Sequence, residues 1–190
     1  MKKNTKKIVT AAGIAAGTAA VASLYAYVTI KALIDTALDR EMPKVMEKAD
    51  KRISGEKSSD EFTNRMESAS ESLAVQPNET VEIIAHDGEK LVGHYFPCEK
   101  PERVIIAFHG WRSSWHRDFG MISDFWYKNN CSVLYVEQRG QNNSSGEYMG
   151  FGLTERFDCL DWLNWEIERC GSDIPVYLAG VSMGATTVLM

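Results

Sequence analysis

The residues best suited to chemistry are Gly180-Val181-Ser182-Met183-Gly184. Val176-Tyr177-Leu178-Ala179 leads into them with β-prone or apolar residues, and small, helix-compatible residues follow. A serine at such a strand-to-helix corner sits on a tight, strained backbone. Its hydroxyl points out of the sheet edge, where the new helix aims its first N–H groups. Gly180 and Gly184 leave room for neighbouring elements to pass close. Ser182 is therefore a candidate nucleophile for acyl transfer, a chemistry that also needs two donors for the developing oxyanion. The Met183 N–H, at the helix start, is the first candidate. The second is the Trp111 N–H of His109-Gly110-Trp111, which follows the strand ending at Phe108. Gly110 lets the backbone turn there, and His109 is read as a residue that orients the loop.

These groups need a frame. Residues 80–86 alternate, Asp87-Gly88 reads as a two-residue hairpin turn, and 89–96 return. Residues 103–108 and 131–136 are apolar enough for strands buried on both faces. Between them, 118–130 reads as a helix with Phe119, Ile122, Phe125 and Trp126 inward. A polar loop follows Glu137-Gln138-Arg139-Gly140, with Arg139 as a structural loop residue. Thr154 is a plausible N-cap, and the next helix carries Leu153, Phe157, Leu160, Leu163 and Ile167 on one face. Gly171 stops it, and 174–179 form the strand into the corner. The expected fold is α/β, a mostly parallel sheet with a leading antiparallel hairpin.

Four histidines, His86, His94, His109 and His116, fall within a short stretch, which raises a metal site. A two-residue turn at Asp87-Gly88 places His94 opposite Val81, roughly 26 Å along the ladder from His86. No metal and no cofactor is expected. Cys98, Cys131, Cys159 and Cys170 are widely spaced, without the pairs a zinc site uses, and read as free buried thiols. The net charge of −5 and the lack of a large basic face argue against nucleic acid. Trp111, Trp115, Arg112 and Arg117 form an aromatic and basic cluster, read either as a pocket wall that meets a substrate carboxylate or as a packed loop.

The N-terminus is organised differently. Lys2, Lys3, Lys6 and Lys7 precede an uncharged run over residues 8–30. As a helix it spans roughly 34 Å, enough to cross a bilayer. The expectation is a single-pass anchor with its lysines in the cytoplasm and the rest outside. The alternative is a secretory signal, cleaved after Ala20-Val21-Ala22 to release a secreted protein. Gly13 and Gly17 have a spacing that lets two helices pack closely, but in so alanine-rich a run no oligomeric state follows. The expected divisions are residues 1–30 as lysines and anchor, 31–77 as a helical and polar linker, and 78–190 as the globular part. Within the linker, Pro43 is expected to start a second helix that ends at Ile53-Ser54-Gly55. Residues 56–77 read as a tether or a poorly packed helix.

From about residue 79 onward the chain resembles the first half of an α/β-hydrolase, close to the serine aminopeptidase-like and prolyl-oligopeptidase-like branches. The resemblance rests on His109-Gly110-Trp111, on Glu137-Gln138-Arg139-Gly140 with Ser145-Gly146 beyond, and on Gly180-Val181-Ser182-Met183-Gly184-Ala185. Relatives usually carry Asp where Glu137 stands. The resemblance implies a serine hydrolase of a small-molecule or peptide ester, amide or thioester. It also implies a triad acid and histidine on later strands, and residues 183–190 contain neither. On this reading the chain is truncated after the nucleophile elbow, and the fragment alone is expected to be inactive. The alternative is a non-catalytic, membrane-anchored binding module with a hydrolase-like fold.

Overall fold

The computed structural model describes residues 2–42, 60–171 and 173–190, with backbone alone for 2–16. The expectations at Pro43 and at Ile53-Ser54-Gly55 lie outside the described residues. Helix α1 (Lys2–Leu38) precedes α2 (Glu61–Ala74). Strands β1 (Glu79–Ile84), β2 (Lys90–Phe96) and β3 (Arg103–Phe108) follow, then α3 (Trp115–Lys128) and β4 (Cys131–Glu137). Helix α4 (Glu155–Cys170), β5 (Val176–Gly180) and α5 (Met183–Leu189) complete the described elements.

The five strands form one sheet in the order β1-β2-β4-β3-β5. β1, β2 and β4 pair antiparallel, whereas β4, β3 and β5 run parallel. β3 and β4 are buried almost throughout, as their apolar sequences require. One side of the sheet packs Leu134, Ile106 and Phe108 against Trp162 and Cys159 of α4. The other packs Ile105, Val133 and Tyr135 against Trp115 and Phe119 of α3 and Leu73 of α2.

Four expectations need correction. The first hairpin pairs His94 with Thr80, not with Val81. Ala85 bonds back to Glu89, so the loop holds three residues, closed by Gly88 at φ +95. That loop type needs a left-handed third residue, and the extra residue shifts the register by one. The stretch after residue 60 is no tether: α2 lies on α3 so closely that a side chain on Gly120 would meet the Ala69 backbone at 2.7 Å.

The inward face of α3 carries Trp115, Phe119 and Ser123, while Ile122 and Phe125 are exposed. Phe125 instead borders an open apolar groove beside β5, together with Ile105 and Tyr177. In α4 the inward face is Glu155, Asp158, Cys159, Trp162 and Glu166. Leu153, Phe157, Leu160 and Ile167 are exposed. Two of these buried acids displace the apolar stripe because both of them are fully partnered. Glu155 accepts from the Gly150 and Gly152 N–H groups, and Asp158 accepts from Arg139.

Candidate active site

The carboxyl ends of β3, β4 and β5 converge on the corner at Ser182. Between β5 and α5, Ser182 adopts φ 51, ψ −112. A non-glycine residue held at positive φ costs energy and persists only where its surroundings impose it. Here packing imposes it. A Cβ on Gly184 would overlap the Phe108 carbonyl, and one on Gly180 would overlap the Gly184 carbonyl. The Val181 N–H donates to the Phe108 carbonyl at 3.1 Å, which ties the corner to the end of β3. Ser182 itself is exposed. Among the described residues no hydrogen bond engages its hydroxyl.

The loop after β3 runs against this corner. A Cβ on Gly110 would lie 3.3 Å from the Val181 carbonyl and 3.4 Å from the Ser182 Cβ. Asp118, in the first turn of α3, fixes the loop: one carboxylate oxygen accepts the Gly110 N–H and the other the Ser113 hydroxyl, both at 2.7 Å. The Arg112 N–H donates to Gln141 at 2.6 Å. The Trp111 N–H, between these fixed neighbours, has no hydrogen-bond partner among the described residues, and neither has the Met183 N–H. Met183 sits at the first position of α5, where helix geometry leaves N–H groups free.

His109 is fully buried. Its Nε2 accepts the Gln138 N–H at 3.2 Å, so the ring proton is on Nδ1, which donates to the Gly110 carbonyl at 2.8 Å. Burial holds its pKa below the ordinary value, and the ring is neutral. With its lone pair engaged, His109 orients the loop and offers no base. His94 bonds Asn78 and Glu137 and stacks on Trp115. His116 bonds Ser70 and Ser114. His86 bonds Asp161.

Gln138 and Asp118 organise this end of the sheet without having been singled out by sequence, whereas Glu137 and Arg139 stood in the motif at the end of β4. The Gln138 amide donates to the His109 carbonyl, and its oxygen accepts the Thr187 hydroxyl of α5 at 2.7 Å. Gln138 thus bridges the loop after β3 to the helix after Ser182. Burial pushes the Glu137 carboxyl up, but bonds from His94 and from the N–H and amide of Asn143 outweigh it, and its pKa falls below the usual value. Arg139 clamps Asp158 through two nitrogens and Asp87 through a third. That clamp agrees with the reading of Arg139 as a structural loop residue. Of the two residues not singled out, Asp118 carried a readable signal, an acid in the first turn of a helix.

The aromatic and basic cluster divides. Trp115 is in the core. The Trp111 indole donates to the Ala37 carbonyl at 2.9 Å, and Arg112 donates to the carbonyls of Thr36, Asp39 and Arg40. The reading of Arg112 as a partner for a substrate carboxylate is therefore corrected: its guanidinium satisfies carbonyls that the end of α1 leaves open. For a metal, the described residues bring together His86, Asp158 and Asp161. Asp158 is already spent on Arg139 and Asp161 on His86, so ion pairing accounts for their closeness.

Solved structures resemble this fold. An esterase from Pyrococcus furiosus is 26% identical, with a TM-score of 0.54, over 62% of this chain and 46% of its own. An α/β serine hydrolase without a lid from Xanthomonas campestris aligns at 18% identity and a TM-score of 0.52, over 60% of this chain and 55% of its own. An α/β serine hydrolase homologue from Coxiella burnetii aligns at 21% and 0.50, over 58% and 55%. At those two identities the likeness concerns the fold alone. The chain spans about half the length of each of these proteins. No protein-family model matches the chain, and no curated protein matches it.

Proposed function

We propose that this chain, which carries part of an α/β-hydrolase fold, supplies the nucleophile and oxyanion half of a serine hydrolase. Ser182 Oγ attacks the carbonyl of an ester, amide or thioester and forms an acyl-enzyme that water releases. The Met183 and Trp111 N–H groups receive the oxyanion; loss of one such donor typically costs about 2.7–4 kcal/mol in the barrier. The base and its acid come from strands beyond β5 in the full-length protein. One observation carries the reading: an exposed serine, at positive φ between a strand and a helix, with the Gly110 loop against it.

The test is labelling of the full-length protein by a fluorophosphonate probe. Labelling that Ser182→Ala abolishes is the expected result. An unlabelled, folded wild-type protein would mean a binding module instead.

We further read α1 as a membrane anchor. Leu24, Tyr25, Tyr27, Val28 and Ile30 all face away from the body. Cleavage after Ala22 would leave this apolar turn-and-a-half and more in water, which favours retention. Recovery of the intact N-terminus in an alkali-resistant membrane fraction is expected; a mature protein starting at Ser23 would end the anchor reading.

A further inference from the structure

The end of α1 is built into the border of the candidate site. Over residues 17–34 the helix is exposed, and from Asp35 to Asp39 it becomes half-buried. There the Trp111 indole and the Arg112 guanidinium take four carbonyls, two in the last turn of α1 and two from Asp39 and Arg40 just beyond it. The Met149 N–H donates to Leu38 and the Arg40 N–H to Glu147, each within 2.8 Å. Arg40 reaches on to the carbonyls of Ser144 and Asn142. So many main-chain bonds leave no free swivel between helix and body.

The segment Gly17–Leu38 has 22 residues. It is about 33 Å long, against a hydrocarbon core of about 30 Å. If the hydrocarbon edge is drawn at Leu38, Trp111 lies at that edge. If it is drawn at Ile30, where the uncharged run ends, Ala37 lies about 10 Å above it. The headgroup layer is itself roughly 5–8 Å deep on each side. Either edge puts the loop that carries Trp111 in the headgroup layer or directly upon it.

The border is suited to that position. Trp111, Tyr148, Phe151 and Leu153 are 36%, 58%, 39% and 61% exposed. Tyr148 pairs with Asp39 at the end of α1. Phe151 is held outward at φ 50, next to Gly152, which packs against Thr186 of α5. Exposed Trp and Tyr beside the end of a spanning helix match the aromatic belt of membrane interfaces. In water the same patch would be a liability.

We infer that the Trp111–Tyr148–Phe151–Leu153 border of the site rests on the headgroup layer of the bilayer that α1 crosses, with the lipid surface as its partner. The inference rests on reading α1 as a membrane span. The border and Ser182 share one end of the sheet, so a substrate crossing it comes from the lipid side.

The test uses full-length protein in phosphatidylcholine–phosphatidylglycerol vesicles. Single nitroxides are placed at Leu24→Cys, at Phe151→Cys and at native Cys98, with the remaining cysteines replaced by alanine. Cys98 bonds Ser132 at the start of β4, about 17 Å along the strand from the site end. Collision with oxygen is compared with collision with a water-soluble nickel chelate. Oxygen should dominate at Leu24 and Phe151, and the chelate at Cys98. Oxygen at Leu24 with chelate at Phe151 overturns the inference and leaves the anchor standing. Chelate at Leu24 overturns the anchor and the inference with it. Should Phe151→Cys fail to fold, Leu153→Cys reports on the same border.

Discussion

After β4 the chain is held by buried hydrogen bonds. Glu137, Gln138, Arg139 and Ser144 are all buried, and each bonds at least two partners. After β5 it is held by steric fit. Gly180, Ser182 and Gly184 depend on close passage of backbone past backbone, with the Val181–Phe108 bond as the direct main-chain tie to β3. The first region resists displacement because moving any one group strands another in a low-dielectric interior. The second resists because there is no free volume to move into. The proposed site would use both: a loop fixed by buried hydrogen bonds on one side and a strained, exposed serine on the other.

The sharpest way to break the first region is Arg139→Met. It leaves the buried Asp158 carboxylate uncompensated, and removal of one partner from a buried pair costs about 3–5 kcal/mol. Urea unfolding of the full-length protein should record that loss, and Arg139→Met with Asp158→Leu should recover most of it. A single variant within 1 kcal/mol of wild type, on the scale of about 1 kcal/mol for an exposed pair, would place this pair outside the support of the loop.

The second region breaks by volume instead of charge. Gly184→Ala forces a methyl into the Phe108 carbonyl and should cost about 1–3 kcal/mol, as overpacking does. Gly88→Ala, at a glycine with open space around it, strains φ alone and serves as the reference. Equal losses at the two positions would mean that crowding adds nothing at the elbow.

Between the regions runs the Thr187 hydroxyl to Gln138. A double-mutant cycle with Thr187→Val and Gln138→Leu should give a coupling of about 1 kcal/mol, the usual net worth of such a bond. A cycle that closes to zero would make the two regions independent.

The two regions also differ in what the sequence discloses. The elbow is local: strand, Gly-x-Ser-x-Gly and small residues lie within about a dozen positions, and each has a steric reason to be there. β3 and β4 are equally legible, as runs apolar on both faces. The polar network is not local. Asp158 is buried because Arg139 is 19 residues away, and Gln138 matters because His109 and Thr187 are 29 and 49 residues away. A periodicity argument scores such acids as solvent-facing, and it therefore turned α4 outside in. The close packing of α2 was not legible because it meets α3 through Gly120 and Ala69, small residues that leave no hydrophobic period. The hairpin register depended on one extra loop residue, which the dipeptide Asp87-Gly88 does not reveal.

The smallest expected effect is in acid, and it should fall unevenly. Residues 180–190 contain no ionisable side chain. The polar region contains several. The bond from Arg139 holds the Asp87 carboxyl down at about 2, from 3.8. Glu137 lies below its ordinary 4.5 because the bonds from His94 and Asn143 exceed the effect of burial. A carboxyl whose folded pKa is depressed stabilises the fold above its unfolded pKa and loses that contribution as pH falls through the folded one. The window therefore lies below pH 4.5 for Glu137, and for Asp87 it runs from 3.8 down to about 2. Native-state hydrogen exchange of the full-length protein, corrected for the intrinsic pH dependence, should show protection at Ser144 and Asn143 eroding across this window. The Val181 N–H should keep its protection until the whole domain opens. Simultaneous loss at both places, at every pH, would show that the loop after β4 and the elbow open as one unit, and the division drawn between them would have no thermodynamic counterpart.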